Sequence, residues 1–355
     1  MGLVVRESKG ISVDAETKKP APAGKQESPA SAALTPMTPQ DAAKFSTMFN
    51  AIVDNISRAV LGKKRVIRLV LTTLIAEGHI LLEDAPGTGK TVLAKSLAAS
   101  IEGSHSRIQF TPDLLPSDVT GVNIYDQHSG TFEFHKGPVF ASIVLADEIN
   151  RASPKTQSAL LEVMEESKVT VDGVTYGAGR PFMVIATQNP IEQTGTYKLP
   201  EAQLDRFLMK TALGYPDHDS VITILTGSAQ RDRTASLRPV ISGEDITVLS
   251  DIAGHVYLNP AIADYVARLG AATRNDAETR IGVSVRGCIA LVRASKVWAA
   301  AQGRNFVIPD DIKELASEVF THRIILDPES EFNGVTPADV MTRILASVAP
   351  PTEQM

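Results

Sequence analysis

Pro86-Gly87-Thr88-Gly89-Lys90-Thr91 sets two glycines, a lysine and a hydroxyl side by side. Glycine lets successive backbone N–H groups turn toward one point, and a helix beginning there adds its positive end, so the segment is built to cradle a chain of phosphates. Lys90 can then reach the β- and γ-phosphates, and Thr91 can place its hydroxyl on Mg²⁺. The general pattern carries another glycine where Asp84 stands, so the match is to the core of the motif. Downstream, the apolar run Ile143-Val144-Leu145-Ala146 ends in Asp147-Glu148. A buried strand of this kind delivers two carboxylates to the carboxyl edge of a sheet, where ligands bind. Asp147 suits contact with Mg²⁺, and Glu148 suits polarising the water that attacks the γ-phosphate. The chemistry implied is Mg²⁺-dependent binding and hydrolysis of ATP.

Three further side chains are candidates. Asn189 follows Ala186-Thr187-Gln188, at the end of another strand, where an amide can orient Glu148 and a water without adding charge; Asn189-Pro190 by itself reads as a turn opener. Arg206 lies near the end of the short helix read at Leu199-Pro200-Glu201-Ala202-Gln203-Leu204-Asp205-Arg206-Phe207. It could neutralise charge on the γ-phosphate of a neighbouring chain; from spacing alone it is an ion-pair partner of Asp205 or of other nearby charges. Arg286, near the start of a long helix, would report phosphate occupancy if it faced the nucleotide, and is otherwise a solvated helix arginine.

These residues need a scaffold. Short apolar runs at His79–Leu82, Ser142–Ala146 and Phe182–Thr187 alternate with helical segments at Thr91–Ile101 and Pro154–Glu166, which predicts an α/β fold with a parallel sheet between helices. Two hairpins interrupt it at about 120–135 and 168–178. Val122–Tyr125 and Thr131–Phe134 flank Ser129-Gly130, while Val169–Val171 and Val174–Tyr176 flank Asp172-Gly173, a type I′ signal. Helical patterns dominate afterwards, at Ala261–Thr273, Ser284–Ala301, Pro309–Phe320 and Pro337–Val348. The expected organisation is a disordered Ala/Pro/Ser/Lys-rich tail over 1–40, an α/β domain over 41–230, and a linker with a small all-α lid over 231–355. Order begins at Pro39, where Phe45, Met48, Phe49, Ile52, Val53 and Ile56 take helical spacing.

Composition bounds the rest. The 355 residues carry 41 acidic against 35 basic side chains, which argues against general affinity for nucleic acid. The lone Cys288 excludes an internal disulfide, and the seven histidines lack metal-ligand spacing, so no structural zinc is expected. With no long apolar run, the expected location is cytoplasmic without membrane insertion.

The segments Leu82-Glu83-Asp84-Ala85-Pro86-Gly87-Thr88-Gly89-Lys90-Thr91, Asp147-Glu148-Ile149-Asn150-Arg151-Ala152, Ala186-Thr187-Gln188-Asn189-Pro190 and Leu199–Phe207 resemble, in order and spacing, the MoxR family of AAA+ ATPases over roughly residues 42 to 326. In that family Asp84 is a familiar variation. The resemblance implies Lys90, Thr91, Asp147 and Glu148 as Walker residues, Asn189 as first sensor, Arg206 as arginine finger and Arg286 as second sensor. It implies nucleotide contact from Gly62, Pro86, Gly87, Thr88, Gly89, Lys90, Thr91, Val92 and Arg286, with Gly62 beside the adenine. The hairpins resemble the inserts of the helix-two-insert branch, which line a ring's pore and would offer Ile124, Tyr125, Phe132 and Phe134 to substrate. Implied partners are the chain itself in a ring, a hexamer by expectation, a von Willebrand factor A domain adaptor, and a client protein to be remodelled. The rival readings are a chelatase-type metal-insertion subunit, a nucleic-acid motor of the same branch, and a nucleotide-gated scaffold, against which Glu148 speaks.

Overall fold

The structure is a computed structural model that describes residues 36–84, 87–189, 197, 199–227 and 233–351. The tail expected over the first forty residues lies, up to residue 35, outside them, as do Pro86 and the expected domain boundary near residue 230. The chain runs α1 (Pro39–Ser57), α2 (Lys64–Ile75), β1 (Ile80–Glu83), α3 (Lys90–Ser100), β2 (His105–Gln109) and α4 (Pro116–Thr120). A hairpin of β3 (Gly121–Asp126) and β4 (Thr131–Lys136) follows, then β5 (Ile143–Asp147) and α5 (Pro154–Glu166). A second hairpin of β6 (Lys168–Val171) and β7 (Val174–Gly177) leads to β8 (Met183–Gln188), α6 (Glu201–Leu204), β9 (Met209–Thr211) and α7 (His218–Thr226). The remainder is α8 (Gly243–Gly254), α9 (Pro260–Asn275), β10 (Thr279–Ile281), α10 (Val285–Ala301), α11 (Pro309–Phe320), β11 (Ile325–Leu326), α12 (Pro328–Phe332) and α13 (Pro337–Ser347).

Five strands form one parallel sheet in the order β2-β5-β8-β1-β9. Its central strands are continuously apolar because both faces are covered. Along β1, Ile80 and Leu82 enter one core and Leu81 the other; β5 divides Ile143 and Leu145 from Val144 and Ala146, and β8 divides Met183 and Ile185 from Val184 and Ala186. The three apolar runs read from the sequence are these three strands, each displaced by about one residue. β2 and β9 were not legible. Of β2 only Ile108 is buried, since it is an edge strand whose other residues are exposed or half-buried, and β9 has three residues, too short for a pattern.

Around the sheet, α1 begins at a reciprocal cap in which the Thr38 hydroxyl accepts from Asp41 N at 3.2 Å while Thr38 N donates to the Asp41 carboxylate at 3.4 Å. It buries Phe45, Phe49, Ile52, Val53 and Ile56. The helices after β9 do not enclose a separate core. Tyr265 of α9, Trp298 of α10, Phe320 of α11 and Met341 of α13 belong to the same contiguous apolar cluster as Phe49, Ile80 and Leu93.

Both hairpins form where turn chemistry placed them. Asp172 and Gly173 take φ of 49° and 80°, the two left-handed residues of a type I′ turn. The first hairpin closes through the Asp126 carboxylate, which accepts from His128 N at 2.9 Å and Ser129 N at 3.2 Å. The hairpins join each other: Phe134 stacks on Tyr176 with ring centroids 4.2 Å apart, and Asn123 Nδ2 donates to the Asp172 carboxylate at 2.7 Å. Phe134 is therefore engaged in packing, whereas Tyr125 and Phe132 stand in contact with each other and exposed, Phe132 at 71%.

Candidate active site: a phosphate loop and a separate arginine cluster

The loop after β1 ends in Gly87 and Gly89 at φ of 83° and 98°, conformations open to glycine and costly for other residues. Gly89 caps α3, so Lys90 and Thr91 open the helix as the motif requires, with Val92 partly exposed beside them. The Lys90 ammonium is buried against the loop and donates to the Asp84 carbonyl at 3.2 Å. Asp84 explains the departure from the glycine pattern. Its buried carboxylate accepts from the backbone N–H of Leu213, and from that of Gly214 at 2.8 Å, tying the loop to the chain beyond β9. Gly62, at φ of 69°, lies against the start of α7, where an added Cβ would sit 2.6 Å from the Asp217 carboxylate and 2.5 Å from Ser220 Oγ. Lys63 Nζ donates to the Tyr215 carbonyl next to it.

At the carboxyl end of β5, Asp147 accepts from Thr187 Oγ1 at 2.6 Å through one oxygen and from Arg107 Nη2 at 2.6 Å through the other. The Thr187 hydroxyl also accepts from Glu148 N at 2.9 Å, so a buried threonine of β8 joins both acids. Glu148 adopts a left-handed backbone, φ 58° and ψ 49°, which turns its side chain out of the strand. Its Oε2 accepts from Gln109 Nε2 at 2.9 Å and Arg151 Nη1 at 3.0 Å. Among the described residues its Oε1 accepts no hydrogen bond. Arg107 and Gln109 were missed in the sequence. They sit two apart on one side of β2, and that alternation is legible only once β2 is known to pair with β5. Asn189 directly follows β8, one residue beyond the register pairing of Gln188 with Glu83 at the phosphate loop. Gln157 of α5 sets its amide against the carbonyls of Ile149, Ala152 and Tyr197, bracing the turn after Glu148 against the segment beyond Asn189.

The two arginines lie elsewhere. Arg206 precedes β9, whose Met209 pairs with Ile80 at the start of β1, so it stands at the amino edge of the sheet. It borders a cavity of about 500 Å³ together with His79 and Phe182, which precede β1 and β8. Asp84 lies five residues beyond His79, about 16 Å further along an extended strand. Arg206 Nε donates to Glu165 Oε2 at 2.7 Å, and Arg286 Nη1 to Glu165 Oε1 at 3.1 Å. The structure thus brings Arg286 to Arg206, and not to Lys90, Asp147 and Glu148 of its own chain. Arg206 forms its ion pair with Glu165, while Asp205 pairs with Arg323 Nε at 2.6 Å. Arg323 is buried and also donates to the Phe207 carbonyl at 2.7 Å, which fixes the turn carrying Arg206. The two guanidinium groups hold the Glu165 carboxyl below its usual pKa, the Arg206 hydrogen bond foremost. His79, in the wall, is pushed down to about 4 by burial; it accepts from Val184 N at Nδ1 and donates to the Met164 carbonyl from Nε2, a neutral imidazole used as structure.

A parallel sheet with a glycine phosphate loop after β1 and paired acids after β5 defines a P-loop ATPase. Residues 79–209 match the ATPase family associated with various cellular activities (AAA), and residues 271–344 match the AAA lid domain. The chain is 39% identical to Chaperone MoxR1 of Mycobacterium tuberculosis over 93% of its own length and 89% of that protein. It is 47% identical to the uncharacterized protein YeaC of Bacillus subtilis, over 85% of this chain and 94% of that one. The crystal structure of a presumed ATPase from Cytophaga hutchinsonii superposes with a TM-score of 0.83 at 39% identity, covering 88% of this chain and 98% of that chain. The chain belongs to the MoxR family of AAA+ ATPases, and its chemistry is ATP hydrolysis. Among the described residues no helix is long and apolar enough to cross a membrane.

Proposed function

We propose that this ATPase works as a ring, a hexamer by expectation, in which ATP lies between neighbouring chains and its turnover remodels client proteins. The observation that carries the reading is the separation of Arg206 from the phosphate loop of its own chain. A side chain at the amino edge of the sheet can meet a γ-phosphate only if that phosphate is bound at the carboxyl edge of another chain. Arg286, paired with Arg206 on Glu165, would serve the same neighbouring nucleotide.

Within one site, the Gly87–Gly89 turn and the start of α3 bind the phosphates, and Lys90 leaves the Asp84 carbonyl for the β- and γ-oxygens. Glu148, held through Oε2, offers Oε1 to the attacking water and takes its proton. Asn189 orients that water. Thr91 and Asp147 supply hard oxygen donors that fit Mg²⁺, which when bound offsets the phosphate charge. Arg206 of the neighbouring chain neutralises the charge that develops on the γ-phosphate. The exposed Ile124, Tyr125 and Phe132 of the first hairpin are the surface for the client, and a von Willebrand factor A domain protein is the proposed adaptor.

ATPase rate against protein concentration, with mass measured alongside, tests the proposal. Specific activity is expected to rise with assembly, Glu148→Gln to bind ATP without turning it over, and Arg206→Ala to lose about a hundredfold or more in kcat. Equal turnover by a dilute monomer, with Arg206→Ala unaffected, would refute the shared site.

A further inference from the structure

Arg206, Glu165, Arg286, Asp205 and Arg323 form a chain of alternating charge at the amino edge of the sheet. Its successive contacts are 2.7 Å, 3.1 Å, 3.9 Å and 2.6 Å. Glu165 stands between the first two arginines of the chain, one oxygen to each, and these are the two the shared site would use. We infer that Glu165 is a positioning residue that aligns Arg206 and Arg286 as a pair toward the phosphates bound by a neighbouring chain; the inference rests on the shared-site reading above.

The geometry favours alignment over restraint. Arg206 is held through Nε alone, so among the described residues both its terminal amino groups are left without a partner and can face an anion. The two guanidinium groups would repel each other in the cavity, and a carboxylate between them offsets that repulsion while fixing their spacing. The cavity keeps a positive surplus: Arg180, Arg206, Arg286, Arg293 and Arg323 border it against Glu77, Glu165 and Asp205. A triphosphate presented by another chain would therefore meet an attractive field with Glu165 in place. Glu165 also lies in the last turn of α5, a helix of 13 residues that is capped by Ser153, shortly past Glu148. At 1.5 Å per residue it spans about 20 Å, so one rigid element connects the acid of a chain's own site to the arginines that chain lends.

Chains able to rescue one another supply the test. An Arg206→Ala chain keeps its Glu148 and lacks its arginine, while a Glu148→Gln chain lacks its acid and offers its Arg206. Mixed in equal amounts, the two are expected to hydrolyse ATP faster than either alone. No such gain overturns the shared-site reading, and the inference with it. Next, Arg206→Ala is mixed with a Glu148→Gln chain that also carries Glu165→Gln. The regained kcat is expected to fall about tenfold or more, with KM for ATP within about twofold, because misplacing a charged group costs the transition state first. Glu165→Asp in the same chain should recover part of the loss. Equal regain with and without Glu165 overturns the inference and leaves the shared site standing; a larger regain without Glu165 marks it as a restraint and overturns the inference too. Because a partly exposed ion pair contributes little to stability, Glu165→Gln is expected to melt and assemble as wild type does. Should it not assemble, the Glu165→Asp chain decides by the same comparison.

Discussion

Asp84 occupies the position where the general phosphate-loop pattern carries glycine, and its role follows from what its carboxylate touches. A glycine there would leave the N–H groups of Leu213 and Gly214 without their acceptor, in a buried place. Asp84→Gly is therefore expected to cost about 2 kcal/mol in urea denaturation and to raise KM for ATP more than it lowers kcat, since the loop loses its tie to the chain beyond β9. Unchanged stability and KM would show that the carboxylate is not what holds the loop. The same scale separates two kinds of arginine. Arg323 is buried against backbone carbonyls and Asp205, whereas among the described residues Arg206 and Arg286 keep donors free, as the proposed contact with a phosphate requires.

At the scale of elements, the two hairpins divide their aromatic residues between structure and surface. Tyr125 faces Phe132 across one end of the first hairpin, and Phe134, two residues on, leans over Tyr176 of the second. A double-mutant cycle of Phe134→Ala and Tyr176→Ala is expected to give a coupling of about 0.5–1.5 kcal/mol in thermal unfolding. Phe132→Ala should leave the melting temperature near wild type while weakening the stimulation of ATPase by a client that the proposed function calls for. Zero coupling would mean that the hairpins move independently of each other. The sequence placed both hairpins correctly because their turns are specified locally, by Asp172-Gly173 and by Asp126 with Gly130. It could not say that the hairpins join, because their contact lies between segments some forty residues apart.

Over the whole molecule, the apolar cluster that joins α1, α3 and one face of the sheet to α9, α10, α11 and α13 leaves no seam for the helical region to melt along. Core and lid are expected to unfold in one transition, with calorimetric and van't Hoff enthalpies in agreement. Two resolved transitions would show that the lid is a separate cooperative unit. In the proposed ring, motion driven by ATP would act between chains or through elements such as α5, because the lid helices share their packing with the sheet.

What the sequence determined alone was local chemistry and local pattern. The glycines that allow positive φ, the acids ending an apolar run, the short continuous apolar runs of buried strands and the type I′ turn are all written within a few residues of each other. Those signals were enough for the α/β class, the phosphate loop and the Asp147-Glu148 pair. Tertiary structure decided everything that depends on which edge of the sheet a residue reaches. Arg107 and Gln109 became partners of the two acids only through the pairing of β2 with β5, an edge strand with too little apolar content to announce itself. Arg206 and Arg286, 80 positions apart, met on Glu165 because the register of β9 with β1 and the packing of α10 set them at the amino edge. Spacing along a chain carries no information about such a meeting, since the free energy that enforces it comes from burial and pairing among residues far apart in sequence.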